Sequence, residues 1–159
     1  MVRYDDVGDE VLDLLNEVKN EYFPELRSAR IRVFFDNKKK MSKGNMVLAS
    51  ISKTNDLQKY LTIEESGSEN GYDYFLYLDA TIWNGGATKD DKVRIIRHEL
   101  RHTAVDLEKD NPYGLRDHEI SDFYDEIALN SEDAKWAERL VAVGESLYEK
   151  QKEDKKGKK

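Results

Sequence analysis

Val93-Arg94-Ile95-Ile96-Arg97-His98-Glu99-Leu100-Arg101-His102 lies within a stretch, Thr88 to Leu107, from which the rest of the chain can be read. Histidines four residues apart on a helix differ by about 40° around the axis and about 6 Å along it, so both imidazoles can reach one ion. Glu99 points about 60° beyond His102, which lets its carboxylate miss the ion yet reach a water beside it. That is the mechanical content of the HExxH pattern of zinc hydrolases. Only three histidines occur in the chain, and two of them are here.

The flanking residues predict a helix. Thr88 with Asp91 reads as a capping box, after the break at Gly85-Gly86. Val93, Ile96, Leu100 and Leu107 recur at helical spacing nearly opposite His98 and His102, so one face packs on a core and the other presents the imidazoles. Ile95 and Val105 shoulder the histidine face. Arg94, Arg97 and Arg101 fall on one flank, where a solvated charged edge is the ordinary reading and a clamp for a substrate carboxylate the alternative.

The length of 159 residues suits one domain, and a hydrophobic fraction of 38% suffices for one modest core. The net charge is -7, and the segment Glu149 to Lys159 carries six lysines against three acids. Without that +3 the body stands near -10, which disfavours nucleic acid or an anionic membrane as its main partner. Cysteine is absent, so any bound metal must be held by nitrogen and oxygen. The first residues contain no apolar run of signal-peptide type and no stretch approaches a membrane span, from which we expect a cytoplasmic protein.

Val7, Val11, Leu14, Leu15, Val18 and Tyr22 predict an amphipathic helix from about Asp6 to Tyr22, ended by Pro24. Strands are expected at Ile31–Phe35, Val47–Ile51 and, most strongly, Tyr72–Leu78. The lysine-rich run from Asp36 to Asn45 reads as a solvated turn, Leu57 to Ile63 as helix or strand, and Glu64 to Gly71 as a loop. Trp83 is expected to anchor a short helical turn in the core. Asp110 to Gly114 is a turn by composition, and Leu115 to His118 leads into a helix bearing Ile120, Phe123, Tyr124 and Ile127. Ser131 can cap a last helix that carries Trp136, Leu140 and Tyr148. From Glu149 onward the composition is that of a disordered tail.

A catalytic zinc needs a third protein ligand and an open position. His118, the remaining histidine, is the first candidate, with Asp117, Glu119 and Asp122 as competing carboxylates. Asp122 is better placed to orient a ligating imidazole than to ligate.

His98-Glu99-Leu100-Arg101-His102 followed by Leu115-Arg116-Asp117-His118-Glu119-Ile120-Ser121-Asp122-Phe123 resembles the phage metallopeptidases, zincin-like proteins of phages and mobile elements. The order of the N-terminal helix, the 31–35 and 72–78 strands and Trp83 is similar too, so the resemblance covers roughly Asp6 to Ile127. In that family an acid usually follows the third histidine, and Glu119 fills that place. A more distant similarity is to SprT-like proteases, whose cysteine zinc ribbon and basic DNA surface this chain lacks.

The resemblance implies an α+β, zincin-like domain over residues 1–148, with a small sheet packed on the metal helix between N- and C-terminal helices, and a tail over 149–159. It implies Zn2+ held by His98, His102 and His118, Glu99 as general base, and a peptide or protein substrate. A strand edge such as Tyr72 to Leu78 could hold that substrate by β-addition. Tyr113, Arg116 and Tyr124 are candidate oxyanion stabilisers. A non-catalytic zinc-binding module and a nucleic-acid-associated protease are the competing readings.

Overall fold

The computed structural model describes residues 2–118 and 122–157. In chain order these form β1 (Tyr4–Asp6), α1 (Asp9–Tyr22), β2 (Ile31–Asp36), β3 (Met41–Ser42), β4 (Asn45–Met46), β5 (Ala49–Lys53), α2 (Asp56–Leu61), α3 (Ile63–Ser66), β6 (Tyr74–Asp79), α4 (Ala80–Gly85), α5 (Lys89–Arg101), β7 (Thr103–Val105), β8 (Tyr113–Leu115), α6 (Tyr124–Leu129) and α7 (Trp136–Lys156). The architecture is mixed α+β, with a main sheet in the order β1-β2-β6-β5. β2 and β6 run parallel, while β1 and β5 are antiparallel edges.

The core follows from the helical stripes. α1 buries Val11, Leu14, Leu15 and Val18, and α5 buries Ile95, Ile96 and Leu100, beside Val33, Leu76 and Leu78 of the sheet. Trp83 is buried as expected. α7 closes the other side at Gly144, where a Cβ would come within 2.2 Å of Ile82 Cδ1. Any side chain there would push α7 off α4.

Several sequence expectations are corrected. The first helix starts at Asp9, because Tyr4–Asp6 pairs with Phe34–Asp36 instead. The strand expected at 47–51 is shifted to 49–53; of the two readings open for Leu57 to Ile63 the helix is found, over Asp56–Leu61, with Leu57, Tyr60 and Leu61 exposed. Residues 63–66 of the expected loop form a short helix. β6 lies in the sheet interior, hydrogen-bonded on both sides, so Tyr72 to Leu78 offers no edge for a peptide. Periodicity misplaced the end of α5 as well: the helix stops at Arg101, His102 caps it, and the chain turns into β7. Leu107, expected on the buried stripe, is 78% exposed beyond that turn.

The helix expected from 118 begins only at Tyr124; Ile120 lies outside the described residues. Ser131 sits in a 3-10 turn, and α7 starts without a side-chain cap. The segment expected to be a disordered tail continues α7 through Lys156, because Glu, Lys and Gln are strong helix formers and the preceding turns are already docked. Deleting residues 150–159 is therefore expected to lower the far-ultraviolet helical signal while leaving metal content unchanged.

Two ion-pair networks tie the C-terminal elements to α5. In one, the buried Asp91 carboxylate accepts from Arg139 Nη2 at 2.6 Å and from Arg94 Nη1 at 3.1 Å, and Asp133 accepts from Arg139 at 3.0 Å. Burial opposes the Asp91 charge, but its bonds to Arg139 and Thr88 outweigh that and hold its pKa below the usual carboxylate range. A folded-state value below the unfolded one stabilises the protein above about pH 4, and the contribution fades as pH falls through the lower value. Arg139→Ala should thus lower the thermal midpoint by a few degrees at pH 7, and the gap to wild type should close as pH falls below the usual carboxylate range.

Candidate metal centre

α5 begins as the sequence predicts. Thr88 Oγ1 accepts from Asp91 N at 3.2 Å and an Asp91 oxygen accepts from Thr88 N at 3.1 Å. The helix is therefore anchored at its start, three turns before His98, and its buried stripe fixes which way the histidine face looks.

The chain then reverses. Thr103 pairs with Leu115 in the β7–β8 hairpin, and Arg116 N donates to the His102 carbonyl at 2.6 Å. This brings His118 back over the end of α5. One ligating atom each from His98, His102 and His118 lies within 4.8 Å of the others, and among the described residues no second such group of His, Cys, Asp and Glu occurs. Phe123, fully buried, forms the wall behind them, its ring 5.3, 5.0 and 5.1 Å from the three imidazoles.

The hydrogen bonds select the tautomers. His102 Nδ1 is 2.9 Å from the Arg116 carbonyl, which can only accept, so Nδ1 carries the proton and Nε2 keeps its lone pair. His98 Nδ1 is 2.9 Å from Asp122 Oδ1. Burial works against the Asp122 charge, yet His98 and the Phe123 N–H hold its pKa low, so the carboxylate is the acceptor there too. His98 Nε2 is then turned toward His118 Nε2, 2.9 Å away. Imidazoles oriented in this way by a carboxylate and a carbonyl are the arrangement metal-binding histidines adopt.

The charges agree with that geometry. Burial opposes protonation of His98, but the Asp122 bond and the Glu99 carboxylate overcome it and raise its pKa. Burial lowers the pKa of both His102 and His118, and the neighbouring imidazoles add to the effect. These two rings favour the neutral form that can donate a lone pair to a cation. Three neutral-capable nitrogens without a thiolate fit a borderline metal ion and leave room for a further ligand.

Glu99 is buried, and burial pushes its pKa up to about 7 despite the nearby charges of His98 and Lys40. Its carboxylate makes no hydrogen bond to another described residue. The carboxylate is not sealed in, since Asn130 Nδ2 is the buried side-chain polar atom left without a partner among the described residues, so water or a bound ligand can reach Glu99.

Other sequence candidates separate here. Asp122 orients an imidazole, as expected, and the ring is that of His98, while Asp117 accepts from the His118 N–H at 2.8 Å and is otherwise exposed. Glu119 lies outside the described residues. Tyr113 is buried against Tyr74, and Tyr124 is 63% exposed. Arg116 is closest to the centre: its carbonyl holds His102 and its guanidinium lies 4.9 Å over the Phe123 ring. The arginine flank of α5 is not a solvated edge, since Arg97 is buried on Glu126 and Arg101 also reaches that carboxylate. Sequence reading missed Glu126 because an isolated glutamate on a short helix carries no local signal.

No curated protein and no solved structure is significantly similar to the chain. A family model described as putative phage metallopeptidase matches residues 5–144, a span that contains the helix with its paired histidines, His118 and Asp122, and the chain belongs to that family.

Proposed function

We propose that the protein is a zinc-dependent peptidase in which His98, His102 and His118 hold Zn2+ and Glu99 is the general base. The observation that carries this reading is the convergence of three imidazoles, two with their second nitrogen engaged by Asp122 and the Arg116 carbonyl, beside a buried unpartnered Glu99. When bound there, zinc would supply Lewis acidity and acidify a water to a pKa of about 7. Glu99, itself near 7, can accept a proton from the attacking water and hand it to the leaving amine nitrogen. Arg116 is the best placed of the three oxyanion candidates, because its cation borders the imidazole cluster.

β5 is a terminal strand with no hydrogen-bonded strand partner on its outer side among the described residues, and both α5 and β8 lie near it, so an extended peptide adding along that side by main-chain hydrogen bonding would run beside the histidine helix. A peptide or protein is therefore the proposed substrate, and this fold around an HExxH helix is read as zincin-like. Glu99 also weighs against a non-catalytic zinc module, which has no use for a buried, unpaired carboxylate. No described helix is long and apolar enough to cross a membrane, and the cysteine-free composition suits the cytoplasm we assign.

Metal analysis of protein purified without a histidine tag should find close to one zinc per chain. Cleavage of an unfolded protein substrate should stop on chelation and return with added zinc. A purified chain with no stoichiometric metal and no affinity for zinc would overturn the proposal.

A further inference from the structure

The same turn of α5 that aims His98 and His102 at one side aims Arg97 and Arg101 at another. There, Glu126 is completely buried, and its two oxygens are divided between them: Oε1 accepts from Arg97 Nε at 2.9 Å and Oε2 from Arg101 Nε at 3.1 Å. Asn130 Oδ1 takes a further bond from Arg97. The guanidinium groups are backed by aromatic rings at the end of α1, Arg97 at 5.0 Å over Tyr22 and Arg101 at 4.7 Å over Phe23.

Arg97 and Arg101 stand one helical turn apart, so a carboxylate bonded to both can occupy only one position along α5. That fixes the register of α6, and α6 directly follows the segment that carries the rest of the centre. Asp122, four residues before Glu126, sets the His98 ring, and Phe123 walls all three imidazoles. On its other side the segment is tethered at Arg116 N to the His102 carbonyl. Between those two tethers in the chain lies His118.

We propose that Glu126 is a positioning residue for the metal centre, clamping α6 to Arg97 and Arg101 so that Asp122 and His118 meet the imidazoles of α5. The assignment rests on the zinc reading above. An apolar residue at this place could bury α6 as well, but it would not select one register. The Asp91–Arg139–Asp133 network provides the contrast: it ties α7 to the start of α5 and has no short chain connection to His118.

The test is titration of the full-length, metal-free chain with cobalt(II) and with zinc, alongside thermal melting of the same samples. Glu126→Gln should lower affinity at least roughly tenfold, the range for groups that orient metal ligands, and change the cobalt d–d absorption as the donors lose their alignment. Arg101→Lys, which keeps the charge but not the Nε donor, should move both readouts in the same direction. Arg139→Ala should lower the melting temperature yet leave affinity within about twofold and the cobalt spectrum unchanged. A folded Glu126→Gln protein with wild-type affinity and spectrum overturns the proposal, and if that variant does not fold, a folded Arg101→Lys protein with wild-type values does so. A wild-type chain that binds neither metal overturns the zinc reading itself.

Discussion

Glu99→Gln is expected to reduce peptide hydrolysis by roughly 10²–10⁴-fold while leaving fold and metal content unchanged. Glutamine has the same size and can still donate and accept hydrogen bonds, but it cannot take a proton at neutral pH. The carboxylate it replaces is buried and unpartnered by the protein, so the fold has little reason to miss it. Since burial raises the Glu99 pKa to about 7, wild-type activity should fall on the acid side as the base becomes protonated. A bound cation favours the ionised form, which moves that limb to or below pH 7, and the limb should be missing from any residual activity of the variant. Steady-state kinetics with a cleaved peptide, together with metal analysis of each sample, makes the comparison. A Glu99→Gln enzyme as active as wild type would sink the general-base assignment.

His118→Ala is expected to lose most of the metal, whereas Glu119→Ala should keep it. His98 and His102 share one helix and provide two nitrogens; the third comes from across the β7–β8 reversal, and no other described side chain completes the cluster. With two donors the ion is held far more weakly and its water is less acidified, so peptidase activity should fall with metal content. Asp122→Ala should have a smaller effect, a 10–100-fold loss of affinity by the usual scale for such groups, because His98 keeps its lone pair but loses its orientation. Imidazoles must be neutral to ligate, so wild-type metal should be released as pH falls below about 6. Metal per chain after dialysis reads all of these, and a reversed result for His118 and Glu119 would move the third ligand to the carboxylate.

How much of this was legible depends on the distance over which each interaction acts. The α5 capping box and its buried Ile96 and Leu100, the α1 stripe from Val11 to Val18 and the β2 strand were readable, since caps and periodicity are set within a few residues. The pairing of His98 with His102 also followed from helical spacing; Asp122 was readable as a residue that orients an imidazole, but that the imidazole is His98, 24 residues back, was not.

Interactions with distant partners were not readable. β6 carries the strongest strand signal, yet whether it lies at an edge depends on β2 and β5, and the terminal strand on that side is β5. Leu107 kept the helical period on paper, but the pairing of Thr103 with Leu115 had already taken the chain out of the helix. Arg97 and Arg101 read as solvent-facing because a guanidinium is buried only when something neutralises it, and Glu126 lies 29 and 25 residues further along the chain, beyond the β7–β8 hairpin. The sequence by itself determined the helix, its two imidazoles, its carboxylate and the family to which they belong. Only the tertiary structure decided how His118 returns to them and what holds it there, because that placement is made by a strand ladder and a buried ion pair whose partners are far apart in the chain.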